Sequence, residues 1–372
     1  MSRQFRVKPT ICQIGTCREF CEEFHIGEGD LILTNPSYFE GYFEGLTGGA
    51  HVVYFKKYGS GEPTDVMVEA LYQDIKDIPY KRVIAIGGGS IIDVAKLLIQ
   101  ETISPVVDLY EKVIPTKKVK DLIIVPTTCG TGSEVTSVAV IELTVRGTKL
   151  GLQTDEEFAD YAVLIPELLK SLPFRFFATS SIDALIHAIE SYVSPKANPF
   201  TRMYSKEAIS LILKGYQKIA AEGEDARLPL MEDFLLASTY AGIAFSNAGC
   251  AAVHAMSMPF SGAHHVPHGE ANYVIFTGVF KSYNRLNPMG EIRKLNALLM
   301  EILGCDESVV YEKLEELLDM ILKKKSLKEY GVKEEELPGY TETVMTKQGR
   351  LTANNYTELN AQEVLNIYRS LY

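Results

Sequence analysis

The spacing of hydrophobic and polar residues divides the chain into two halves with different patterns. In the first half, short runs rich in Val, Ile and Leu alternate with stretches of helical periodicity. Such runs, bounded by charged or turn residues, are typical of strands that are buried on both faces of a parallel sheet. The spacing predicts strands over residues 30–34, 51–55, 82–86 and 121–125, and helices over residues 17–24, 37–46, 64–75 and 90–100.

From about Ser180 onward a 3.6-residue apolar repeat dominates, most clearly over residues 208–219, 292–303 and 309–322. The whole pattern predicts an α/β N-terminal domain, doubly wound around a mostly parallel sheet, followed by an all-α C-terminal domain. We place the two domains at residues 1–178 and 179–372, with the boundary between Pro173 and Ser181.

The composition of the chain indicates which class of partner the protein binds. A chain of 372 residues with 46% hydrophobic residues can bury two full cores. Its net charge of −11 disfavours binding to nucleic acid or to an anionic membrane surface. The first residues, MSRQFRVKPT, lack an apolar signal segment, and the six cysteines lack paired spacing. We therefore expect a cytoplasmic protein with a small-molecule partner.

Three consecutive glycines follow the strand predicted at residues 82–86 and lead into a helix. The glycines are Gly87, Gly88 and Gly89. They can turn sharply and expose N–H groups, which suits the pyrophosphate of a dinucleotide at the helix N-terminus. Ser90 follows as a candidate N-cap, and Asp93 either supports that cap or accepts a hydrogen bond from a ligand. A simple tight turn is the alternative, since Ile92 replaces the last glycine of the G-x-G-x-x-G fingerprint.

A second loop, rich in hydroxyl groups, follows the strand predicted at residues 121–125. Its sequence, PTTCGTGSE, holds four hydroxyl-bearing side chains and two glycines. In open α/β sheets ligands lie at the carboxyl ends of the strands, where such groups can bind ribose, amide or phosphate oxygens. A threonine-rich turn is the alternative, but two such loops at neighbouring strand ends favour a nucleotide site.

Five of the seven histidines fall between residues 187 and 268, in the helical half. Asp183 and His187 are four residues apart in a helical segment, so their side chains lie on one face, one turn apart. His254 lies in another apolar helical run, and His268 follows at a break that can start a further helix. Three imidazoles and one carboxylate suit Fe(II) or Zn(II), with one coordination position left open.

Each of these residues also has a purely structural interpretation. Asp183 could cap a helix, and His187 could be a core histidine with ordinary hydrogen-bond partners. His264 and His265 fit either a pocket or the surface. The D-x-x-x-H pair together with two further histidines nevertheless favours a metal centre.

Four motifs occur in order along the chain: GGGSIIDVAK, PTTCGTGSEVT, DALIHAIESYVS and HAMSMPFSGAHHVPHGEAN. Together they resemble the iron-dependent (group III) alcohol dehydrogenase family, and the resemblance covers essentially the whole chain. It implies a dehydroquinate-synthase-like two-domain plan, a homodimer or higher homo-oligomer, and hydride transfer between NAD and a small alcohol or aldehyde. Within the family, the sequence is most similar to the enzymes that interconvert 4-hydroxybutyrate and succinate semialdehyde.

The family pattern also implies roles for individual residues. The implied metal ligands, with Fe(II) favoured over Zn(II), are Asp183, His187, His254 and His268. The implied dinucleotide contacts are Gly87, Gly88, Gly89, Ser90 and Asp93, with Thr127, Thr128 and Thr131 near ribose and nicotinamide. Lys149 matches a family lysine that contacts the cofactor, although its local sequence is that of a solvated strand lysine.

The sequence departs from the family pattern at two positions. Met258 stands where many members carry a histidine with a proton-relay role, so the relay is in question. Asn35 follows the second predicted strand, where the family often has an acidic residue that binds the ribose 2′-hydroxyl. Asparagine can still bind that hydroxyl but repels a 2′-phosphate less, so NAD is favoured and NADP stays open.

A substrate with a distal carboxylate needs a cation in its pocket, because burying an unpaired carboxylate is unfavourable. Aligning Asn354 with a family asparagine places Arg350 at a pocket-lining position. Its planar guanidinium can bind a carboxylate through two parallel hydrogen bonds. Lys347 is the second candidate for this role, a surface loop is the structural alternative, and we also place Phe245 in the pocket.

Three alternatives to this function remain at the level of sequence. The chain could act on uncharged primary alcohols or diols. It could be a metal-dependent cyclase of the dehydroquinate-synthase type, which shares the glycine loop and the two-domain plan. It could also be a sensor without activity, although intact ligands and both loops argue against that.

Overall fold

Buried aliphatic runs form the centre of a parallel sheet in the computed structural model, which describes residues 4–372. The described chain divides into two units. An α/β unit spans Val7–Leu172, and a helical unit comprises residues 4–6 with Pro173–Tyr372.

The α/β unit contains a six-stranded sheet and a separate two-stranded one. Its strands are β1 (Thr10–Gln13), β2 (Asp30–Thr34), β3 (His51–Tyr54), β4 (Arg82–Gly87), β5 (Asp121–Pro126), β6 (Val138–Leu143), β7 (Thr148–Gln153) and β8 (Tyr161–Leu164). The large sheet is parallel throughout, in the order β1-β8-β5-β4-β2-β3, whereas β6 and β7 pair antiparallel. The central strands β2, β4 and β5 are almost wholly buried, which explains their unbroken aliphatic sequences.

Short helices connect the strands of this unit. They are α1 (Cys17–Glu23), α2 (Pro36–Phe39), α3 (Asp65–Ile75), α4 (Gly89–Leu98) and α5 (Val106–Tyr110). Thr16 and Glu19 form a capping box at the start of α1, within one residue of the predicted helix over residues 17–24. The fold class of doubly wound α/β unit plus helical unit is confirmed.

Some predicted elements of the α/β unit were wrong or missing. The helix predicted over residues 37–46 ends at Phe39, because Gly41 and Gly45 adopt positive φ angles that break it. Ser90 does not cap α4; the N-cap is Gly88, and the Ser90 hydroxyl donates to the carbonyl of Gly61 at 3.4 Å. The strands β1, β6, β7 and β8 were not predicted.

The helical unit consists of ten α-helices with short connections. They are α6 (Phe174–Val193), α7 (Pro199–Glu222), α8 (Met231–Ala248), α9 (Ala252–His264), α10 (His268–Leu286), α11 (Glu291–Leu303), α12 (Val310–Ile321), α13 (Leu337–Lys347), α14 (Gly349–Thr352) and α15 (Ala361–Ser370). The helical runs predicted within α7, α11 and α12 are confirmed, as is a helix starting at His268.

Helix α6 is the centre of this unit. Every residue from Ser181 to Val193 is buried, and the helix packs against α7, α8 and α10. A helix that is apolar on most of its surface belongs in the interior, so its few polar residues require partners there. The helix ends at Ser194 because Pro195 follows and disfavours helical backbone at the residue before it.

Candidate metal centre and dinucleotide site

Four side chains in the interior of the helical unit form a cluster that we call the metal quartet. Its members are Asp183, His187, His254 and His268. One ligand atom from each lies within 4.8 Å of the others. Donors this close can reach one cation at bonds of about 2 Å after small side-chain rotations. Geometry therefore brings together the four residues that the sequence singles out.

Three helices supply the quartet. Asp183 and His187 lie one turn apart on α6, His254 lies in the first turn of α9, and His268 is the first residue of α10. The rings of His187 and His254 stack with centroids 4.7 Å apart, and those of His254 and His268 are 5.3 Å apart. The imidazoles thus surround the Asp183 carboxylate at nitrogen–oxygen distances of 3.9–4.0 Å.

A close approach of two helices makes this arrangement possible. A Cβ atom at Gly269 would lie 2.5 Å from the backbone oxygen of Thr179 and 3.2 Å from Cβ of Asp183. Any larger residue at this position would push the start of α10 away from α6. Gly269 therefore allows its neighbour His268 to reach Asp183.

The imidazole of His254 is held in one orientation by Glu190. Nδ1 of His254 lies 2.6 Å from Oε2 of Glu190, a carboxylate that also accepts from the backbone N–H groups of Ala251 and Val253. Nε2 of His254 is buried and has no hydrogen-bond partner among the described residues. A buried nitrogen without a partner is rare unless a ligand completes it, so the cluster fits a metal ion.

Asn272 contacts two members of the quartet from α10. Its amide donates to Oδ1 of Asp183 at 2.7 Å, and the same nitrogen lies 3.1 Å from Nε2 of His268. Burial alone would raise the pKa of Asp183, but the three imidazoles and this amide outweigh it and hold the pKa below its ordinary value. Asp183 therefore carries the negative charge that a cation site requires.

A second group of potential ligands shares one residue with the quartet: Glu190, Cys250 and His254. Its Glu190 carboxylate already accepts three hydrogen bonds, from the N–H groups of Ala251 and Val253 and from Nδ1 of His254. This group is best explained as the support of His254. His264, left open by the sequence, lies outside both groups, with Nε2 2.9 Å from the hydroxyl of Tyr340.

The residues predicted for the substrate pocket lie on three different helices, and Phe245 contacts the quartet. Phe245, on α8, stacks on the ring of His187 with centroids 4.4 Å apart. Arg350 is exposed on α14, a helix that contacts α9, and Lys347 is exposed at the end of α13. Asn354, one turn after Arg350, is buried and donates to the carbonyl of Cys250 at 2.9 Å. This bond anchors the Arg350 segment close to the start of α9.

Most of the predicted dinucleotide contacts lie at the carboxyl ends of three adjacent strands in the α/β unit. Asn35 follows β2, the glycine loop (Gly87, Gly88, Gly89 and Ser90) follows β4, and the threonine loop (residues 126–134) follows β5. The chain leaves β2 towards the outer strand β3 but leaves β4 in the opposite direction, towards β5. Adjacent strands with diverging connections form the crevice in which open α/β sheets bind ligands.

The glycine loop and the threonine loop touch each other directly. A Cβ atom at Gly88 would lie 3.3 Å from the methyl group of Thr128, and one at Gly89 would lie 3.0 Å from that of Thr131. The N–H of Thr127 donates to the carbonyl of Gly87 at 3.1 Å. The hydroxyl of Thr127 is buried without a partner among residues 4–372. Backbone N–H groups of the first turn of α4 and these hydroxyls can together hold a phosphate or ribose.

Three other predicted cofactor residues have partners within the unit. The side-chain oxygen of Asn35 accepts from the N–H of Lys56 at 2.8 Å, which leaves the amide NH₂ as its donor. Asp93 accepts from the hydroxyl of Ser133 at 2.8 Å and from the N–H of Val140 at 3.1 Å. Lys149, on β7, forms an ion pair with Glu62.

Sequence reasoning missed two residues that support the quartet. Glu190 lies three residues after His187 and seven after Asp183, a spacing that places all three on one face of α6. Asn272 lies four residues after His268 and so on the same face of α10. Helical spacing from the predicted ligands could have identified both.

Both halves of the chain match models of one protein family. Residues 9–166 match the model described as iron-containing alcohol dehydrogenase, and residues 177–372 match that of the C-terminal part of the Fe-containing alcohol dehydrogenase family. The chain therefore belongs to the iron-containing alcohol dehydrogenase family. It is an oxidoreductase acting on CH–OH groups, which favours the dehydrogenase prediction over the cyclase and sensor alternatives.

One relative is similar over the full length of the chain. This is the 4-hydroxybutyrate dehydrogenase of Clostridium kluyveri, 50% identical over 367 residues, with 99% of each chain covered. Long-chain-alcohol dehydrogenase 1 of Geobacillus thermodenitrificans is 34% identical over 315 residues, covering 80% of this chain and 76% of the other. Sulfoacetaldehyde reductase from Bifidobacterium kashiwanohense, solved in complex with NAD⁺, superposes with a TM-score of 0.86 at 25% identity, covering 100% and 99% of the two chains.

Within residues 4–372, no helix is both long enough and apolar enough to cross a bilayer.

Proposed function

We propose that the protein is an NAD-dependent dehydrogenase that interconverts 4-hydroxybutyrate and succinate semialdehyde. The observation that carries this proposal is the 50% identity to a 4-hydroxybutyrate dehydrogenase over essentially the full length of both chains. A cytoplasmic location stays a prediction from the composition, and a homodimer or higher homo-oligomer stays one from the family resemblance.

In this proposal the metal quartet holds a divalent ion, with Fe(II) favoured and Zn(II) possible. An ion held there would supply Lewis-acid stabilisation of negative charge on the substrate oxygen, and a bound nicotinamide would supply the hydride chemistry. Glu190 keeps Nε2 of His254 directed into the quartet, and Asn272 holds Asp183. Phe245 supplies an apolar wall beside His187 that keeps water from that side of the site.

The remaining assignments concern the cofactor and the proton. The glycine loop would hold the pyrophosphate, and Thr127, Thr128, Thr131 and Lys149 would contact ribose and nicotinamide. The free NH₂ of Asn35 can donate to a ribose hydroxyl but also to a 2′-phosphate, so NAD preference rests on the resemblance. Met258, on the helix that carries His254, has no exchangeable proton. We therefore assign proton delivery to water or to the cofactor ribose.

The direct test is an anaerobic assay with Fe(II) supplied, in which NADH oxidation is followed at 340 nm with a panel of aldehydes. We expect succinate semialdehyde to give the highest kcat/KM, above that of butanal, which has the same chain length without a carboxylate. No NADH oxidation with any aldehyde would refute the function. Equal rates with both would favour the alternative of an enzyme for uncharged alcohols.

We expect Arg350→Ala to lower kcat/KM for succinate semialdehyde and to leave that for butanal unchanged. A charge-assisted hydrogen bond contributes about 1.5–3 kcal/mol, which corresponds to a loss of about 10- to 150-fold. The matched control is Lys347→Ala, which removes another exposed cation three residues earlier. A selective loss in the Lys347 variant instead would transfer the role to Lys347, and an equal loss on both substrates would remove Arg350 from the pocket.

A further inference from the structure

The ammonium group of Lys96 is completely buried in the α/β unit, about two helical turns into α4. Nζ donates to the hydroxyl of Ser133 at 2.8 Å, to the hydroxyl of Thr136 at 3.1 Å and to the carbonyl of Val138 at 2.7 Å. These three bonds use all three donors of an ammonium group. Lys96 therefore ties α4, the helix that starts at the glycine loop, to the end of the threonine loop and the segment after it.

Asp93 completes the connection from the same face of α4. Its carboxylate accepts from the hydroxyl of Ser133 and lies 3.8 Å from Nζ of Lys96. The hydroxyl of Ser133 thus accepts from Lys96 and donates to Asp93, which fixes its orientation completely. Lys96 and Asp93, one turn apart on α4, thus bind this hydroxyl both as an acceptor and as a donor.

The position of Ser133 affects the part of the threonine loop that faces the glycine loop. The N–H of Ser133 donates to the hydroxyl of Thr131 at 3.4 Å. The methyl group of Thr131 in turn lies 3.0 Å from where a Cβ of Gly89 would be. A displacement of Ser133 would therefore move Thr131 against or away from the backbone of the glycine loop.

The charges around Lys96 are consistent with this connection. Asp93, Glu134 and Glu157 are the carboxylates whose charges act on Lys96, and Glu134 and Glu157 are at most 1% exposed. Burial lowers the pKa of Lys96, and these carboxylates oppose that effect. A buried ammonium is tolerated only where it is paired and hydrogen-bonded. An apolar side chain of similar length would fill the same space without needing such partners.

We propose that Lys96 is a positioning residue for the cofactor, which sets the threonine loop against the glycine loop through Ser133 and Thr136. This inference rests on the proposed function, in which the two loops bind the dinucleotide. A purely structural lysine would contribute to stability alone, whereas a positioning lysine determines cofactor affinity separately from stability.

The test measures the Kd for NADH by fluorescence titration, together with thermal stability and metal content, in the full-length protein. We expect Lys96→Met to raise the Kd at least tenfold while bound metal, which belongs to the helical unit, stays unchanged. We expect Ser133→Ala to raise the Kd as well, and the double variant to raise it no further than Lys96→Met alone, because both changes break one connection.

The matched control is Glu157→Gln, which replaces a buried carboxyl group near Lys96 while its side chain can still accept from Gln100. We expect its Kd for NADH to stay within twofold of the wild type. If Lys96→Met does not fold, Ser133→Ala and Thr136→Val carry the test, since each removes one partner of Lys96 with little change in volume.

Two outcomes would overturn the inference, and a third concerns the proposed function. A Kd unchanged in Lys96→Met despite lower stability would make Lys96 structural, and additive effects in the double variant would separate it from Ser133. A wild-type protein that binds no NADH would instead refute the dinucleotide site itself.

Discussion

A protein carrying His268→Ala is expected to lose turnover by at least about 100-fold while its fold is retained. The substitution removes one of four donors, and even groups that only support metal ligands contribute 10- to 100-fold to affinity or activity. The side chain of His268 is 40% exposed, so little packing is lost. Metal content after dialysis and affinity measured against a competing chelator give the direct readout, with circular dichroism to monitor the fold.

The control for this prediction is His264→Ala. His264 lies on α9 like His254, but its ring contacts Tyr340 and Glu336 instead of the quartet. We expect this variant to keep its metal and its rate. If the His268 variant retained stoichiometric metal and near-normal turnover, the assignment of the quartet would be wrong.

Gly88→Val is expected to raise the KM for NADH more than tenfold without changing metal content. Gly88 is the N-cap of α4, and a Cβ there already meets the methyl group of Thr128 at 3.3 Å. The two methyl groups of valine would extend further into the space where a pyrophosphate approaches the helix N-terminus. Steady-state kinetics with NADH varied at saturating aldehyde would measure the change.

Gly88→Ala provides the graded comparison, because it adds only the Cβ atom. We expect an effect in the same direction and smaller than that of valine, with the KM for the aldehyde unchanged in both variants. An unaltered KM for NADH in the valine variant would place the phosphate site elsewhere in the protein.

The sequence allowed the strands β2 to β5 of the α/β unit to be predicted but not β1, β6, β7 or the short inner strand β8. The strands β2, β4 and β5 are continuous aliphatic runs because both of their faces are buried. The edge strand β1 has the sequence TICQ and is mostly exposed, so no such run marks it. The strand β6 alternates between buried and exposed positions over only six residues, which is a weak signal, and its partner β7 is mostly exposed.

The candidate site likewise has features that local sequence spacing predicts and features that depend on tertiary contacts. Helical spacing on α6 was sufficient to propose that Asp183 and His187 act together, and the structure brings His254 and His268, which the sequence also singled out, next to them. Helical spacing could not indicate that Asp93 is bound to Ser133, since that contact joins residues 40 positions apart. Ser90 shows the same limit, because its assignment as an N-cap depended on where the backbone turns into α4.

The pairing of β1 with β8 has a consequence for synthesis and folding. Thr10 pairs with Tyr161 and Gln13 with Leu164, so the first strand to leave the ribosome pairs with the last strand of its sheet. The chain must therefore close a very long loop before this edge forms, and such non-local pairing is slow. Until Leu164 has been made, β5 has one unpaired edge exposed to other chains. The nascent α/β unit is therefore open to edge-to-edge association between the synthesis of β5 and that of β8.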